Sequence, residues 1–345
     1  MTATFLVLVM LLLASPPALS DEIKPGVLRT PDSRFIGLED FPFDAHYTEI
    51  DGMRIHYLDE GPRDGEAILM IHGEPTWSYL FRKMIPVLVE AGYRVIAPDL
   101  VGFGKSDKYE DEAAYSYAQH VTFMREFVLR LDLHDVTFFG QDWGGLIGLR
   151  VVAELPERFA RIVVSNTALA SAGGVAGMVG YPLFRALVWW LSPLALEDVQ
   201  ANLTFPRWVA YSQSVEDLPV GDVMVALGGV TQGRKGYEAP FPGPRYKAAA
   251  TIMPYLVLSQ LQENEAAWET LEKWNKPFLI AFTDSDPLTA AGEEIFIERI
   301  PGAQRVTILG ARHFVQEDAG PELARLMIDF MQGRPLPAEV SVHRD

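Results

Sequence analysis

Short apolar runs alternate along the chain with segments of helical periodicity. Residues 46–50 and 53–59 alternate apolar and polar positions around Asp51-Gly52, a dipeptide that favours the primed turn of a β-hairpin. Four further short apolar runs, separated by helical or loop segments, lie at 67–71, 94–97, 136–139 and 161–165. This order predicts right-handed β–α–β crossovers and therefore an α/β fold, with a mostly parallel central sheet flanked by helices.

The strand pattern stops near residue 167 and returns near residue 275. The intervening segment is helical in pattern and rich in proline and aromatic residues, and strand-like runs follow it at 277–282 and 304–309, before a last amphipathic helix at about 321–331. We predict a core formed by 21–166 and 275–345. A helical cap, 167–274, is inserted after the sixth strand, over the carboxyl ends of the strands. A separate partner-binding domain would give the same pattern.

Residues 1–20 carry no charge and include the apolar run FLVLVMLLLA at 5–14. This run has the length of a signal-peptide core and is short for a membrane span, and Ala18 and Ser20 suit cleavage before Asp21. We expect a cleaved secretory signal at 1–20 and a periplasmic or secreted protein, although no Lys or Arg precedes the run. An uncleaved anchor, or a cytoplasmic protein with a misassigned start, is the alternative.

Composition disfavours several classes of function. The 345-residue chain has a formal net charge of −17 and no cluster of Lys and Arg, which argues against nucleic acid as a partner. It has no cysteine and therefore no disulfide framework. No two histidines share metal-ligand spacing with a carboxylate, so we predict neither a metal nor a cofactor. We expect a monomer, without stable membrane association, that acts on a small molecule.

The candidate reactive residue is Asp142, which follows the run VTFF at a sharp change to small residues. Gly140, Gly144 and Gly145 surround it with the spacing small–x–nucleophile–x–small–small of a nucleophile elbow, a tight strand-to-helix turn. Serine is the usual central residue of that turn. An aspartate that only caps the following helix is the other interpretation, but a cap does not need glycines on both sides.

A nucleophile at such an elbow is followed along the chain first by an acid and then by a histidine. His313 directly follows a predicted strand, the only later histidine is His343, and the histidines before the elbow are out of order. The acid is expected after the strand PFLIAF, where both Asp284 and Asp286 lie. We favour Asp286, because the following proline restricts its backbone, which leaves Asp284 as a turn or capping residue.

Aspartate as the nucleophile changes the chemistry. An ionised carboxylate attacks an sp3 carbon directly and expels a leaving group, which leaves an alkyl ester on the enzyme. His313 then activates water against that ester, and Asp286 stabilises the imidazolium. The developing oxyanion needs N–H donors, which this topology takes from the residue after the nucleophile, Trp143, and from the turn at Glu74. The substrates of such a reaction are then organic halides or epoxides.

The leaving group separates these two substrate classes. A halide needs N–H donors in an apolar pocket, and the indole of Trp143 is the first candidate. The second is expected in the cap, where we favour Trp208 over Trp189 and Trp190, although packing is the commoner role of an indole. An epoxide oxygen needs a proton instead. The cap offers four tyrosines as its source: Tyr211, Tyr237, Tyr246 and Tyr255.

From roughly Asp40 to Gln332 the sequence resembles the haloalkane dehalogenases of the α/β-hydrolase superfamily. The likeness lies in HGEPTWSYLFRKMIPVL at 72–88, PDLVGFGKSDK at 98–108, FGQDWGGLIGLR at 139–150, APFP at 239–242, FTDSDP at 282–287 and HFVQED at 313–318. HGEPTWSY together with QDWGG is specific, because epoxide hydrolases more often carry HGFP and HDWGG. The cap between Ser171 and Ala201 is hard to align and looks longer than is typical.

The resemblance implies an α/β-hydrolase fold and a cofactor-free enzyme that releases halide from haloalkanes. Carried onto this chain, it makes Asp142 the nucleophile, Asp286 the acid and His313 the base. It also implies that the backbone N–H groups of Glu74 and Trp143 are the oxyanion donors. Within the family, it points to the group in which two tryptophans, here Trp143 and Trp208, hold the halide. An epoxide hydrolase is the alternative enzyme, and a catalytically silent binding protein would usually lack one member of the triad.

Overall fold

The computed structural model describes residues 22–342 of the chain. The predicted signal segment with its cleavage site, and His343, lie outside the described residues. The secretory signal and the localisation that follows from it therefore stay predictions.

The described residues form strands and helices in a mixed order. The strands are β1 (Glu22–Lys24), β2 (Val27–Leu28), β3 (His46–Ile50), β4 (Met53–Glu60), β5 (Ala67–Ile71), β6 (Arg94–Pro98), β7 (Lys108–Tyr109), β8 (Val136–Gln141), β9 (Phe159–Ser165), β10 (Phe278–Thr283), β11 (Gln304–Leu309) and β12 (Glu339–Ser341). The helices are α1 (Ile85–Glu90), α2 (Tyr117–Arg130), α3 (Trp143–Glu154), α4 (Gly174–Leu191), α5 (Leu196–Ala201), α6 (Phe205–Ser212), α7 (Val220–Ala226), α8 (Arg234–Glu238), α9 (Ala248–Leu256), α10 (Leu261–Leu271), α11 (Ala290–Arg299) and α12 (Val315–Met331).

A nine-stranded sheet in the order β12-β11-β10-β9-β8-β5-β6-β4-β3 forms the centre of the fold. Its neighbours are parallel from β12 to β6, and β4 pairs antiparallel with both β6 and β3. The β3–β4 hairpin turns at Asp51 and Gly52, whose φ angles of 51° and 70° are those of the predicted primed turn. The mostly parallel sheet predicted from the sequence is confirmed.

The central strands are buried because helices cover both faces of the sheet. All six residues of β8 are buried, and so is almost all of α3, which packs on it. A strand covered on both faces needs apolar side chains on both, which is why VTFF shows no alternation of apolar and polar residues. β1, β2 and β7 form a separate three-stranded sheet.

Seven helices, α4 to α10, lie between β9 and β10. Because β9 is the sixth strand of the central sheet in chain order, the insertion lies where the sequence predicts it. Buried hydrogen bonds tie it to the rest of the chain: the Trp77 indole donates to the carbonyl oxygen of Gly236 at 2.9 Å, and the Thr30 hydroxyl donates to that of Pro240 at 2.6 Å. The domain boundaries at 167 and 274 stay a prediction.

Candidate active site

The turn that carries Asp142 joins the end of β8 to the start of α3. Asp142 has φ 52° and ψ −129°, a conformation that residues with a side chain rarely adopt. A Cβ at Gly144 would lie 1.8 Å from the carbonyl oxygen of Ile71, so glycine is required for α3 to start this close to β5. The tight turn indicated by the glycine spacing is present. Packing of α3 on the sheet maintains the strained backbone conformation of this turn.

The Asp142 carboxylate makes no capping hydrogen bond to α3, which argues against its interpretation as a helix cap. Its Oδ1 accepts a hydrogen bond from the Glu74 N–H at 2.8 Å, and its Oδ2 lies 3.5 Å from Nε2 of His313. Trp143 is the first residue of α3, so its N–H has no acceptor within the helix. The structure thus brings Asp142, His313 and Glu74 together, with Trp143 next to them.

His313 lies on the loop between β11 and α12 and is buried. Its Nδ1 is 2.9 Å from Oδ2 of Asp286, a buried carboxylate that also accepts a hydrogen bond from the Thr289 hydroxyl. Asp284 is exposed and accepts a hydrogen bond from the Gly310 N–H at 2.9 Å. Of the two carboxylates left open by the sequence, the favoured one therefore lies beside the histidine and the other lies in a surface turn.

His313 is in contact with two carboxylates. Burial alone would lower the pKa of its imidazole, but Asp286 and Asp142 stabilise the protonated ring and raise that pKa to about 10. Burial acts on Asp286 in the opposite sense, yet the charge and hydrogen bond of His313 hold the pKa of that carboxyl below its usual value. The two carboxylates together therefore favour the protonated form of His313.

Two buried amides that the sequence analysis did not single out hold the loop of His313. Asn166, directly after β9, donates to the His313 carbonyl oxygen at 2.9 Å and accepts a hydrogen bond from the Thr283 N–H at 3.0 Å. Gln141, the residue before Asp142, donates to the same carbonyl oxygen at 3.2 Å. Both amides lie at the carboxyl ends of strands beside the elbow, and this position is the signal by which the sequence could have revealed them.

The turn after β5 places Glu74. Nδ1 of His72 donates to the carbonyl oxygen of Gly73 at 2.8 Å, because its Nε2 is occupied as the acceptor of the Leu100 N–H at 2.9 Å. A Cβ at Gly73 would lie 2.2 Å from Oδ1 of Asp142, so only glycine lets the turn pass this close to the carboxylate. The His72-Gly73 pair thereby aims the Glu74 N–H at Asp142.

A cavity of about 170 Å³ lies next to Asp142, between the sheet and the inserted helices. Polar groups reach it mainly on one side, where Glu74, Asp142 and His313 line it. Most of the remaining wall is apolar and includes Leu146, Leu203, Phe205, Val223, Leu227 and Phe314. Such a cavity suits a small uncharged molecule that has one reactive polar bond.

Trp208 lies in α6 and is 6% exposed at the wall of this cavity. Its indole lies close enough to the carboxyl of Glu74 to lower the pKa of that group. Burial and the negative charge of Asp142 act in the opposite sense and raise the pKa of Glu74 well above its usual value, which favours the neutral carboxyl. Oε1 of Glu74 is buried and has no hydrogen-bond partner among the described residues.

The other three candidate tryptophans differ in their position relative to the cavity. Trp143 lines the cavity and packs edge-on against Tyr117, with ring centroids 5.0 Å apart. Trp189 and Trp190 are 80% and 74% exposed on α4, and neither lines the cavity. The structure therefore brings Trp143 and Trp208 to the same cavity and leaves the two alternatives outside it.

Known proteins are similar to this chain in sequence and in architecture. Residues 66–320 match the family of the alpha/beta hydrolase fold. A haloalkane dehalogenase of Psychrobacter cryohalolentis is 43% identical over 326 residues, which cover 90% of this chain and 99% of that protein. Haloalkane dehalogenase 1 of Mycobacterium tuberculosis is 43% identical over 322 residues, covering 89% and 99%. This chain belongs to the haloalkane dehalogenase family.

Solved structures agree with this membership. Haloalkane dehalogenase DpaA of Paraglaciecola agarilytica NO2, which is described as tetrameric, superposes on this dehalogenase with a TM-score of 0.72. The two are 31% identical, and the match covers 87% of this chain and 96% of the other. The α/β-hydrolase fold expected from the sequence is confirmed by both kinds of comparison.

The four cap tyrosines do not line the cavity of this dehalogenase as it is described. Tyr211 packs against Trp208, and the Tyr237 hydroxyl is hydrogen-bonded to Glu317. Tyr255 accepts a hydrogen bond from Arg185 at 2.8 Å, outside the cavity. None of the four tyrosines that could supply a proton to an epoxide oxygen is therefore part of the described wall. Between residues 22 and 342 no group of three or more His, Asp or Glu side chains is arranged to hold a metal ion.

Proposed function

We propose that this enzyme hydrolyses haloalkanes to an alcohol, a halide ion and a proton, through a covalent ester on Asp142. One observation carries the proposal. At the wall of an apolar cavity, one oxygen of Asp142 faces the imidazole of His313 at 3.5 Å, and the other is bound by a backbone N–H at 2.8 Å. An anion held in this way can attack an sp3 carbon, since it needs no deprotonation first.

The two carboxylate oxygens have different roles in the first step. Oδ1 is already bound by the Glu74 N–H, so we assign the attack to Oδ2. Oδ2 forms a bond to the carbon that carries the halogen, and the halide leaves with the electron pair of the carbon–halogen bond. The product is a neutral alkyl ester in which Oδ1 is the carbonyl oxygen, held where negative charge will develop next.

Formation of the ester also prepares the base. The free carboxylate of Asp142 is one of the two anions that raise the pKa of His313. Once it is esterified, only Asp286 still supports the imidazolium, the pKa of His313 falls, and the ring loses its proton to solvent. Neutral His313 then takes a proton from water as the water oxygen attacks the ester carbon. The bond between that carbon and the alkoxy oxygen breaks, and the leaving alkoxide takes the proton of the newly added hydroxyl and departs as the alcohol. Asp142 is then a carboxylate again, beside protonated His313.

Two indoles are the proposed halide ligands. Trp143 and Trp208 both line the cavity, and the rest of the described wall is mostly apolar. An N–H donor stabilises the leaving halide more in such a cavity than in water, because no solvent competes for the ion. The Trp208 indole lies beside the Glu74 carboxyl, whose raised pKa favours the neutral form, and a halide competes well with such a group because a charged acceptor binds an N–H more strongly.

The test is a screen of halide and proton release from chloro-, bromo- and iodoalkanes, beginning with 1-bromobutane and 1,2-dibromoethane. Release should be lost in Asp142→Ala and retained in Asp284→Asn, a control in the exposed turn near the site. In His313→Phe the ester should accumulate and appear as an alkyl mass increment on the peptide that contains Asp142. Turnover of styrene oxide with no turnover of any haloalkane would refute the proposal, and so would an unmodified Asp142 in His313→Phe.

A further inference from the structure

Helix α4 combines an apolar sequence with an exposed position. GVAGMVGYPLFRALVWWL contains one charged residue, Arg185, and its buried residues are Phe184 and Val188. Among the described residues, α4 is the one helix long and apolar enough to cross a membrane by length and composition, and 11% of it is buried. A helix that is apolar on all sides is normally covered by something.

The uncovered surface is large. Seven large apolar residues of α4 are each more than 40% exposed: Val175, Met178, Val179, Leu183, Leu187, Trp189 and Trp190. From these fractions they present roughly 900 Å², whereas the largest apolar patch on a typical monomer is about 300–600 Å². Each partner in a stable protein–protein interface buries about 800 Å². The exposed face of α4 therefore has the area that a stable dimer needs.

The exposed residues form one continuous face. At 100° per residue they span an arc of about 180°, opposite Phe184 and Val188, with Ala186 near its centre and Pro182 within it. Phe184 stacks on Phe205 of α6, at a ring distance of 5.9 Å, and so fixes which side of α4 faces the protein. Arg185 lies at the edge of the arc, where its Nε donates to the Tyr255 hydroxyl at 2.8 Å. The face itself carries no charge.

We propose that α4 is the interface between two copies of this chain, in place of the monomer expected from the sequence. The two helices pack antiparallel about a twofold axis that crosses the middle of α4, between Pro182 and Leu183. This pairing sets Val175 of one copy opposite Trp190 of the other. The first half of the face carries the aliphatic side chains of Val175, Met178 and Val179, and the second half carries both tryptophans. Antiparallel packing therefore sets the smaller aliphatic side chains of one copy against the indoles of the other, on both sides of the axis, as a twofold interface requires.

The charges near α4 favour a second copy over a lipid bilayer. Helices that lie on membranes usually surround their apolar face with Lys and Arg, which bind anionic head groups. Here the neighbouring helices α5 and α10 expose Glu197, Asp198, Glu263 and Glu269, and the whole chain carries −17. A second copy packed on α4 contacts only the uncharged face, so these acidic side chains lie outside the proposed dimer interface.

The experiment measures the mass of the purified protein by light scattering during size-exclusion chromatography, from about 1 to about 100 µM. Wild type should elute as a dimer. Leu183→Glu and Leu183→Lys each place like charges at the axis and should each raise the dissociation constant at least about tenfold. Mixed one to one, the two variants should form a heterodimer. Ile36→Glu, at an apolar residue that is 72% exposed away from α4, is the matched control and should remain dimeric.

Several outcomes would overturn the proposal. Wild type could be monomeric at all these concentrations, or the Leu183 variants could remain dimeric. The Leu183→Glu and Leu183→Lys proteins could also fail to pair with each other. Finally, wild type could be monomeric yet float with vesicles of phosphatidylcholine and phosphatidylglycerol, while Leu183→Glu does not. That result would assign the face to a bilayer. Retained haloalkane turnover in both Leu183 variants shows that they fold.

Discussion

Replacing Trp208 with phenylalanine is the sharpest test of the halide site. The change removes one N–H donor from the cavity wall and keeps most of the aromatic surface that packs there. Trp208 is 6% exposed, so water cannot easily replace the lost donor. The indole also lowers the pKa of Glu74, and its loss raises that pKa further. The substitution therefore does not favour ionisation of Glu74 beside Asp142.

The size of the effect follows from the hydrogen bond that is lost. A hydrogen bond to a charged group contributes about 1.5–3 kcal/mol, and each 1.4 kcal/mol is a factor of ten. Only part of the charge is on the halogen in the transition state, while the bound halide carries all of it. We expect the rate of ester formation to fall about tenfold and the affinity for bromide to fall about ten- to a hundredfold.

Two measurements separate these effects. Rapid-quench measurement of the halide burst gives the rate of ester formation, and quenching of tryptophan fluorescence by added bromide gives the affinity. Trp189→Phe is the matched control, since the same side chain is changed at a position that is 80% exposed and outside the cavity. The reasoning fails if Trp208→Phe and Trp189→Phe behave alike, or if bromide binds to Trp208→Phe as tightly as to wild type.

Three further predictions concern His313, Asp286 and the buried ion pair of Arg82 with Glu317. The pKa of His313 is raised to about 10 while the nucleophile is an anion, so NMR of the free enzyme should show the ring titrating near that value. Ester hydrolysis needs the neutral ring, so its single-turnover rate should fall as the pH drops through the pKa that His313 has in the alkyl-enzyme. That pKa should be distinctly lower than the pKa of His313 in the free enzyme, and equal values in the two states would contradict the proposed loss of the proton on ester formation. Asp286→Asn should slow hydrolysis by about 10³–10⁴ through loss of ring orientation and charge, whereas Asp284→Asn should stay within about twofold in the same assay. Glu317→Gln leaves buried Arg82 without its ion pair and should lower the free energy of unfolding by about 3–5 kcal/mol in urea titrations, and an unchanged midpoint would refute this.

The fold could be predicted where the chain encodes it locally. The predicted strands 67–71 and 304–309 coincide with β5 and β11, because each is a short β-rich run between turn residues. β12 was missed, since the residues Glu-Val-Ser carry no apolar run and pair with β11 through backbone groups. The last helix was predicted to start at Pro321, a residue typical of helix starts, but α12 begins at Val315 and is broken at Ala319, where φ is −140°.

The site could be predicted where one residue type follows from a required geometry. The glycine spacing marked the position of Asp142, and the order along the chain led to His313. Asn166 and Gln141 were missed although both lie at the carboxyl ends of strands beside the elbow, because that position does not show which carbonyl group the fold brings within reach of an amide. Trp208 and Glu74 meet at one cavity because the fold brings α6 to the turn after β5, and no local pattern encodes this approach.

The side chain of Glu74 explains why a carboxyl group can lie beside the nucleophile. The backbone N–H that binds Asp142 would be present whatever the side chain at this position. An ionised Glu74 would repel the Asp142 anion and would hold the Trp208 indole through a charge-assisted hydrogen bond, in competition with halide. Burial and the charge of Asp142 raise the pKa of Glu74 well above its usual value and so favour its neutral form. A neutral acid competes less than a carboxylate for the Trp208 indole, so we expect the charge of Asp142 itself to favour the state of Glu74 that leaves the proposed halide ligand free for the leaving group.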